Sequence, residues 1–258
     1  MRVALITIVA GRHGHLRRQL DGLVAGSVRP DHHVVVAMGD PAVRDVVGGR
    51  AEVIDLAARD HLPLATARNS GAARAIEAGA ELLVFLDVDC VPGTRLIARY
   101  RDTAADRTLL CGPVTYLPPE TPPIDRLASL TDPHPARPVP PDGEILEHGD
   151  HTLFWSLSFA VTVRTWLRLG GFCEDYTGYG GEDTDFGQIA RAADVGLTWV
   201  GGAHAYHQHH PVQDPPVDHL EDILLNATLF HRRWGWWPMR GWLDAFAEQG
   251  LTPHSSTR

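Results

Sequence analysis

Apolar, β-branched runs alternate with helical spacing at short intervals through the first third of the chain, and this constrains the fold more than any other feature. Val3–Val9 is a continuous apolar run, as expected of a strand buried on both faces. Residues 16–25 follow with helical spacing, and 33–38 read as a second buried strand that stops at Gly39-Asp40. A third, weaker strand covers 51–56, and a helix covers 64–79 with Gly79 as its stop. Leu82–Leu86 is a fourth strand, and it runs straight into Asp87-Val88-Asp89. The alternation predicts an α/β fold with a mostly parallel central sheet and helices on both faces. Ligands of such sheets bind at the carboxyl ends of the strands, where Asp40, Asp87 and Asp89 fall.

Regularity weakens afterwards. A helix is expected over 96–102 and a strand over 108–116. Residues 118–150 contain Pro-Pro-Glu-Thr-Pro-Pro and a second proline-rich run, which predicts a long loop. Long loops in compact chains commonly serve as lids or binding segments. Order returns over 153–161, then in a helix over Val163–Leu169, a helix over 182–194, a strand over 197–200 and an amphipathic helix over 218–234. For Trp234-Gly235-Trp236-Trp237 core packing is the favoured reading.

Bulk properties exclude several functions. The formal charge of −9 repels polyanions, so nucleic acid is not an expected partner. All 23 basic side chains are arginine, which removes the P-loop lysine and Schiff-base chemistry. The three cysteines lack metal-site spacing and read as reduced thiols of a cytosolic protein. The N-terminal apolar run is too short for a leader, and no stretch approaches the ~20 apolar residues of a membrane span.

Four constellations carry chemistry. In Asp87-Val88-Asp89, alternation along a strand lets both carboxylates face one way, a donor set that suits Mg²⁺ or Mn²⁺ bridging to phosphate. Four histidines crowd into 204–210, without zinc-finger or HExxH spacing; one of them completing the Asp-x-Asp metal site is chemically sensible. In Gly178-Tyr179-Gly180-Gly181-Glu182-Asp183, glycines let the backbone turn tightly and the two acids fall in the first turn of a helix. One acid suits a general base, while Glu182 and Asp185 are equally readable as helix-capping charges. Tyr179 suits stacking on a sugar ring. Arg68 and Asn69, in Ala-Arg-Asn-Ser-Gly, suit phosphate and nucleotide contacts.

Taken together and in this order, the motifs resemble inverting glycosyltransferases of the GT-A, Rossmann-like type. The first half is similar to the family 2 pattern, through Val3–Val9, Ala67-Arg68-Asn69-Ser70-Gly71 and Phe85-Leu86-Asp87-Val88-Asp89-Cys90. The second half resembles the C-terminal module of β-1,4-galactosyltransferases and chondroitin polymerases. There GGFDExFxGWGGEDxDF matches 170–186, and YHxxHP matches 206–211. Two positions depart from the pattern: Cys173 stands for Asp, a change the motif tolerates, and Tyr179 stands for Trp, which leaves acceptor identity open.

The resemblance implies one structural domain: a nucleotide-sugar half over 1–117, the proline-rich loop over 118–150, and an acceptor and catalytic half over 151–258. It implies Asp183 as catalytic base; Tyr179, Glu182 and Trp155 on the acceptor; Val9, Asp40, Arg68, Asn69, Asp87, Val88 and Gly181 on the donor; and Asp89 with His207 as ligands of Mn²⁺ or Mg²⁺. The implied reaction moves a sugar from a nucleotide-diphosphate donor, UDP-linked by preference, to a saccharide or other hydroxyl acceptor. A cytoplasmic setting, free or peripheral at the inner membrane face, goes with it. A retaining transferase, a non-catalytic nucleotide-sugar binder and a sugar nucleotidyltransferase stay open as alternatives.

Overall fold

The computed structural model describes residues 1–120, 122–211 and 213–251. In chain order its elements are β1 (Val3–Val9), α1 (His13–Ala25), β2 (His32–Met38), α2 (Val43–Val47), β3 (Glu52–Leu56), α3 (Leu64–Glu77), β4 (Leu82–Leu86), β5 (Cys90–Pro92), α4 (Leu96–Thr103), β6 (Thr108–Cys111) and β7 (Val114–Tyr116). They continue with β8 (Ile145–Leu146), β9 (Ser158–Thr162), α5 (Val163–Leu169), α6 (Glu182–Ala192), β10 (Gly196–Val200), β11 (Ala205–His207), α7 (Leu220–Trp234) and α8 (Arg240–Glu248).

The main sheet has eight strands in the order β3-β2-β1-β4-β9-β6-β10-β8. β1 pairs in parallel with both β2 and β4, and β2 with β3. β9 is antiparallel to β4 and to β6, β10 is parallel to β6, and β8 reverses again. The expected α/β sheet, mainly parallel, is therefore present, with the chain reversing its march across the sheet between β1 and β4. That switch point is where an open α/β sheet leaves a crevice beyond its carboxyl edge.

The uninterrupted apolar runs bury both faces. Leu83 and Phe85 of β4 join Ala4, Ile6 and Ile8 of β1 in one core, whereas Leu82, Val84 and Leu86 join another on the opposite face. The first core ends in an aromatic stack in which Phe85, Phe159, Phe172 and Phe186 lie together, with Phe172 and Phe186 4.3 Å apart. Gly71 lets α3 sit directly on β1, since a Cβ there would lie 2.5 Å from Ile6 Cγ2.

Beyond the helices α2 and α8, which had no counterpart in the sequence reading, expectation and structure part in three places that bear on the site. The single strand expected over 108–116 is two, β6 and β7, in different sheets; at the break a Cβ on Gly112 would collide with the Ala203 carbonyl. β5 and β11, of three residues each, form a small second sheet in which β11 pairs with β5 on one side and β7 on the other, and they are too short to leave a periodic signal. The proline-rich segment is irregular as expected, but it is a fastened strap rather than a free lid. Arg18 donates to the Pro122 carbonyl at 2.7 Å, Thr131 pairs with the Tyr206 hydroxyl at 2.8 Å, His134 N–H donates to the Val114 carbonyl at 3.0 Å, and β8 closes the edge of β10. Among the described residues no helix is long and apolar enough to cross a membrane.

Candidate active site

Beyond the carboxyl ends of β1 and β4 lies a cleft of about 740 Å³. Asp87 continues the parity of Leu83 and Phe85, so it enters the cleft on the side of α3 and α6. The buried guanidinium of Arg68, on α3, receives it there. Arg68 Nη2 donates to Asp87 Oδ1 at 3.1 Å, and Nη1 donates to Glu182 Oε1 at 3.1 Å. One arginine thus ties the Asp-x-Asp turn to the first turn of α6, with its face 5.3 Å from the Phe172 ring.

The acids around Arg68 are shifted upward. Burial raises Asp87 to about 6, opposed by Arg68 and reinforced by Asp89. Burial and the neighbouring Asp183 raise Glu182 to about 7, against Arg68. Burial also raises Asp183, against Arg68 and the hydrogen bonds of Thr184. Asp183 Oδ1 accepts from the Thr184 backbone N–H at 2.6 Å and from its hydroxyl at 3.3 Å. Perturbed acids in a cleft mark a site of chemistry.

Asp89 stands on the other side of the Asp-x-Asp turn. Register in the small sheet sets His207 opposite Cys90, and so beside Asp89. His207 Nε2 and His210 Nε2 each lie 3.6 Å from Asp89 Oδ2. The three side chains offer donor atoms within 4.8 Å of one another, a hard carboxylate with two imidazoles. Burial lowers the His207 pKa, with Asp89 opposing, which favours the neutral ring that a metal requires. Burial would raise Asp89, but the His210 hydrogen bond and the charges of His207 and Arg12 outweigh it and hold the carboxyl below its ordinary range. The same oxygen also accepts from Arg12 Nη1 at 2.8 Å.

The mouth is aromatic. Tyr179, 39% exposed, stacks on His219 at 4.5 Å and stands 5.8 Å from Trp242. Gly178 turns with φ +70°, and a Cβ there would collide with Asp222, whose Oδ2 accepts from Tyr179 N–H at 3.1 Å. Trp236, Met239 and Trp242 form the facing wall. The favoured core reading of the Trp234–237 run therefore fails, because Trp236 is 36% exposed on the cleft. Trp234 instead donates to Asp185 at 2.6 Å, and the fully buried Asp185 also accepts from Tyr176 and Arg233. Asp185 is thus a structural node between α6 and the end of α7.

Of the residues singled out in the sequence, Val9, Arg68, Asp87, Val88, Asp89, Trp155, Tyr179, Gly181, Glu182 and Asp183 all line this one cleft. Three others, Asn69, Asp40 and His207, lie outside its lining, with His207 set behind Asp89, its Nε2 3.6 Å from Asp89 Oδ2. Asn69 is engaged at both ends of its amide, donating to the Phe172 carbonyl at 2.9 Å and accepting from Phe172 N–H at 2.9 Å, so it clamps the Gly170-Gly171-Phe172 turn to α3. Asp40 accepts from Gly11 N–H and from His13 Nε2, both at 2.8 Å, and braces the loop after β1. Sequence reasoning missed Arg12, Tyr116, His210, Trp236 and Trp242. Only Arg12 and His210 had a signal, in a glycine-flanked loop after a strand and in the histidine cluster.

A family model described as the N-terminal domain of galactosyltransferase matches residues 149–211, a span holding both the Gly-Gly-Glu-Asp turn and the histidine segment. A validoxylamine A glucosyltransferase of Streptomyces hygroscopicus subsp. limoneus is 28% identical over 274 aligned positions, covering 90% of this chain and 57% of the relative. Solved structures agree on the backbone. GalNAc-T7 with UDP, GalNAc and Mn²⁺ superposes with a TM-score of 0.60 at 14% identity, over 81% of this chain and 44% of that one. The chain thus has a GT-A-like fold. Drosophila β1,4-galactosyltransferase 7 in complex with xylobiose is similar to the GT-A chain at a TM-score of 0.52 and 18% identity, over 81% of this chain and 71% of that one. The GT-A chain spans little more than half the length of the curated relative it matches.

Proposed function

We propose that the chain transfers a sugar, with inversion, from a nucleotide-diphosphate donor to an acceptor hydroxyl, and that Asp183 is the base. The observation that carries this reading is one cleft lined by the raised-pKa carboxylate Asp183, an aromatic rim and Asp89, which offers a cation site with His207 and His210 just behind it. We read 1–117 as the donor half, family 2-like, and 151–258 as the acceptor half, β-1,4-galactosyltransferase-like, of one domain.

Asp89, His207 and His210 fit a divalent cation, Mn²⁺ or Mg²⁺, by donor type and proximity. Such a cation supplies charge neutralisation to a leaving diphosphate. The chain's own side chains do the rest. Arg12, beside Asp89, adds a guanidinium suited to phosphate oxygens. Arg68 holds Asp87 at the donor side and Glu182 at the acceptor side. Asp183 accepts the hydroxyl proton as the acceptor oxygen attacks the anomeric carbon and the bond to the diphosphate breaks. Tyr179, with Trp155 and Trp242, packs on the acceptor ring and excludes water. UDP is the favoured nucleotide, in keeping with the UDP named for GalNAc-T7. A saccharide acceptor is in keeping with the xylobiose complex.

Melting curves with UDP-, GDP- and dTDP-sugars, with and without Mn²⁺, test the reading. Stabilisation by one nucleotide family, dependent on Mn²⁺ and lost in Asp89→Ala, is expected. No nucleotide effect under either condition overturns it.

A further inference from the structure

Two buried glutamines outside the cleft lining bracket the carboxylate-imidazole site. Gln19, on α1, is completely buried. Its Nε2 donates to the Asp87 carbonyl at 2.8 Å and the Cys90 carbonyl at 3.1 Å, with the Leu86 carbonyl at 3.4 Å. One amide therefore gathers carbonyls on both sides of Asp89. The amide cannot flip without loss, because Thr7 Oγ1 donates to Gln19 Oε1 at 2.8 Å. Thr7 Oγ1 in turn lies 3.2 Å from His33 Nε2. With the hydroxyl proton committed to Gln19, His33 must donate, and its burial, which lowers its pKa to about 3, keeps the ring neutral for that role.

Gln208, between the two histidines, is the counterpart. Its backbone N–H donates to the Asp89 carbonyl at 2.7 Å, and its side-chain amide donates to the His15 carbonyl of α1 at 3.1 Å. Helix α1 thus grips the Asp-x-Asp turn through Gln19 and the histidine segment through Gln208. Buried polar groups in apolar surroundings are costly unless fully bonded; Gln19 directs its bonds to the turn, and Gln208 ties the histidine segment to both α1 and Asp89.

We propose that Gln19, oriented by Thr7, and Gln208 are positioning residues that set the spacing between Asp89 and the His207–His210 pair for a divalent cation. The inference rests on the cation site proposed above. Partners that orient ligands from behind typically change metal affinity 10–100-fold when removed.

The test is Mn²⁺ titration of the full chain, read from the electron paramagnetic resonance of the free ion, without nucleotide. Gln19→Met is expected to weaken Mn²⁺ binding by on the order of 10-fold. Thr7→Val should move the same way by less, and Thr7→Ser, which restores the hydroxyl, should bind as the parent does. Tyr100→Phe is the control: it removes buried hydrogen bonds to Ser158 and Gly112, away from the cation site, and should lower the melting temperature without changing Mn²⁺ affinity. Gln19→Met and Thr7→Val both binding Mn²⁺ like the parent would overturn the inference. If Gln19→Met does not fold, Thr7→Val against Thr7→Ser decides. A parent chain that binds no Mn²⁺ removes the cation site itself and the inference with it, an outcome distinct from unchanged affinity in the variants.

Discussion

Arg68 and Glu182 lie 114 positions apart in the chain, yet their charged groups meet at 3.1 Å in the floor of the cleft. The other arm of the same guanidinium holds Asp87. Removing one partner of a buried ion pair leaves charge without compensation and costs about 3 kcal/mol or more. Arg68→Met should therefore lower unfolding free energy by ~3 kcal/mol at pH 8, and by less at pH 5, where Asp87 and Glu182 can take up protons. Chemical denaturation at the two pH values measures it, and equal losses at both would contradict the shared role of the two acids.

The pH dependence of the parent chain follows from Glu182. Its pKa is raised from 4.5 to about 7 by burial and by Asp183, so between those values the folded chain binds more protons than the unfolded one. Stability contributed by this group is present below the unfolded pKa and is lost as pH rises through the folded one. Melting temperature should fall between pH 5 and 7.5, and Glu182→Gln should flatten that slope. A parent profile rising through this window in the absence of metal would contradict the assignment.

Asp183→Asn keeps size and removes the carboxylate proposed as the base. Transfer should slow by about 10²–10⁴-fold, while UDP affinity, measured by calorimetry with Mn²⁺, stays within twofold. Loss of nucleotide binding would instead put Asp183 in the donor site.

The two adjacent histidines at 209 and 210 should behave differently. His210→Ala should weaken Mn²⁺ binding by on the order of 10-fold, because His210 Nε2 faces Asp89. His209→Ala should leave it unchanged, since the contact found for His209 is its backbone carbonyl, with His15. The same titration reads both, and a loss in His209→Ala alone would misplace the ligand set.

Much of the fold was legible because parallel strands buried on both faces leave long apolar runs, as in Val3–Val9 and Leu82–Leu86. The cleft's acids were legible for a related reason: Asp87 follows a strand and Glu182 opens a helix, so their placement is local. What escaped notice depends on contacts between distant segments. Arg12 was one arginine among 23 until β1 set it against Asp89. His210 could not be told from its neighbours until β11 paired with β5. Asn69 looked like a ligand contact because an amide's partners are invisible in sequence, and in the fold the Phe172 backbone takes both its ends. Trp236 looked like core because apolar residues line clefts as well as interiors.

The bond between Arg68 and Glu182 also has a temporal side. A contact that closes a loop of 114 positions forms only after the intervening chain has collapsed, because loop-closure entropy must be met first. During synthesis the strands that present Asp87 and Asp89 emerge well before Glu182, Asp183 and the histidines of β11. A half-made chain can therefore hold a sheet without holding a cleft, and the onset of the proposed nucleotide binding would time the last step of folding rather than the first.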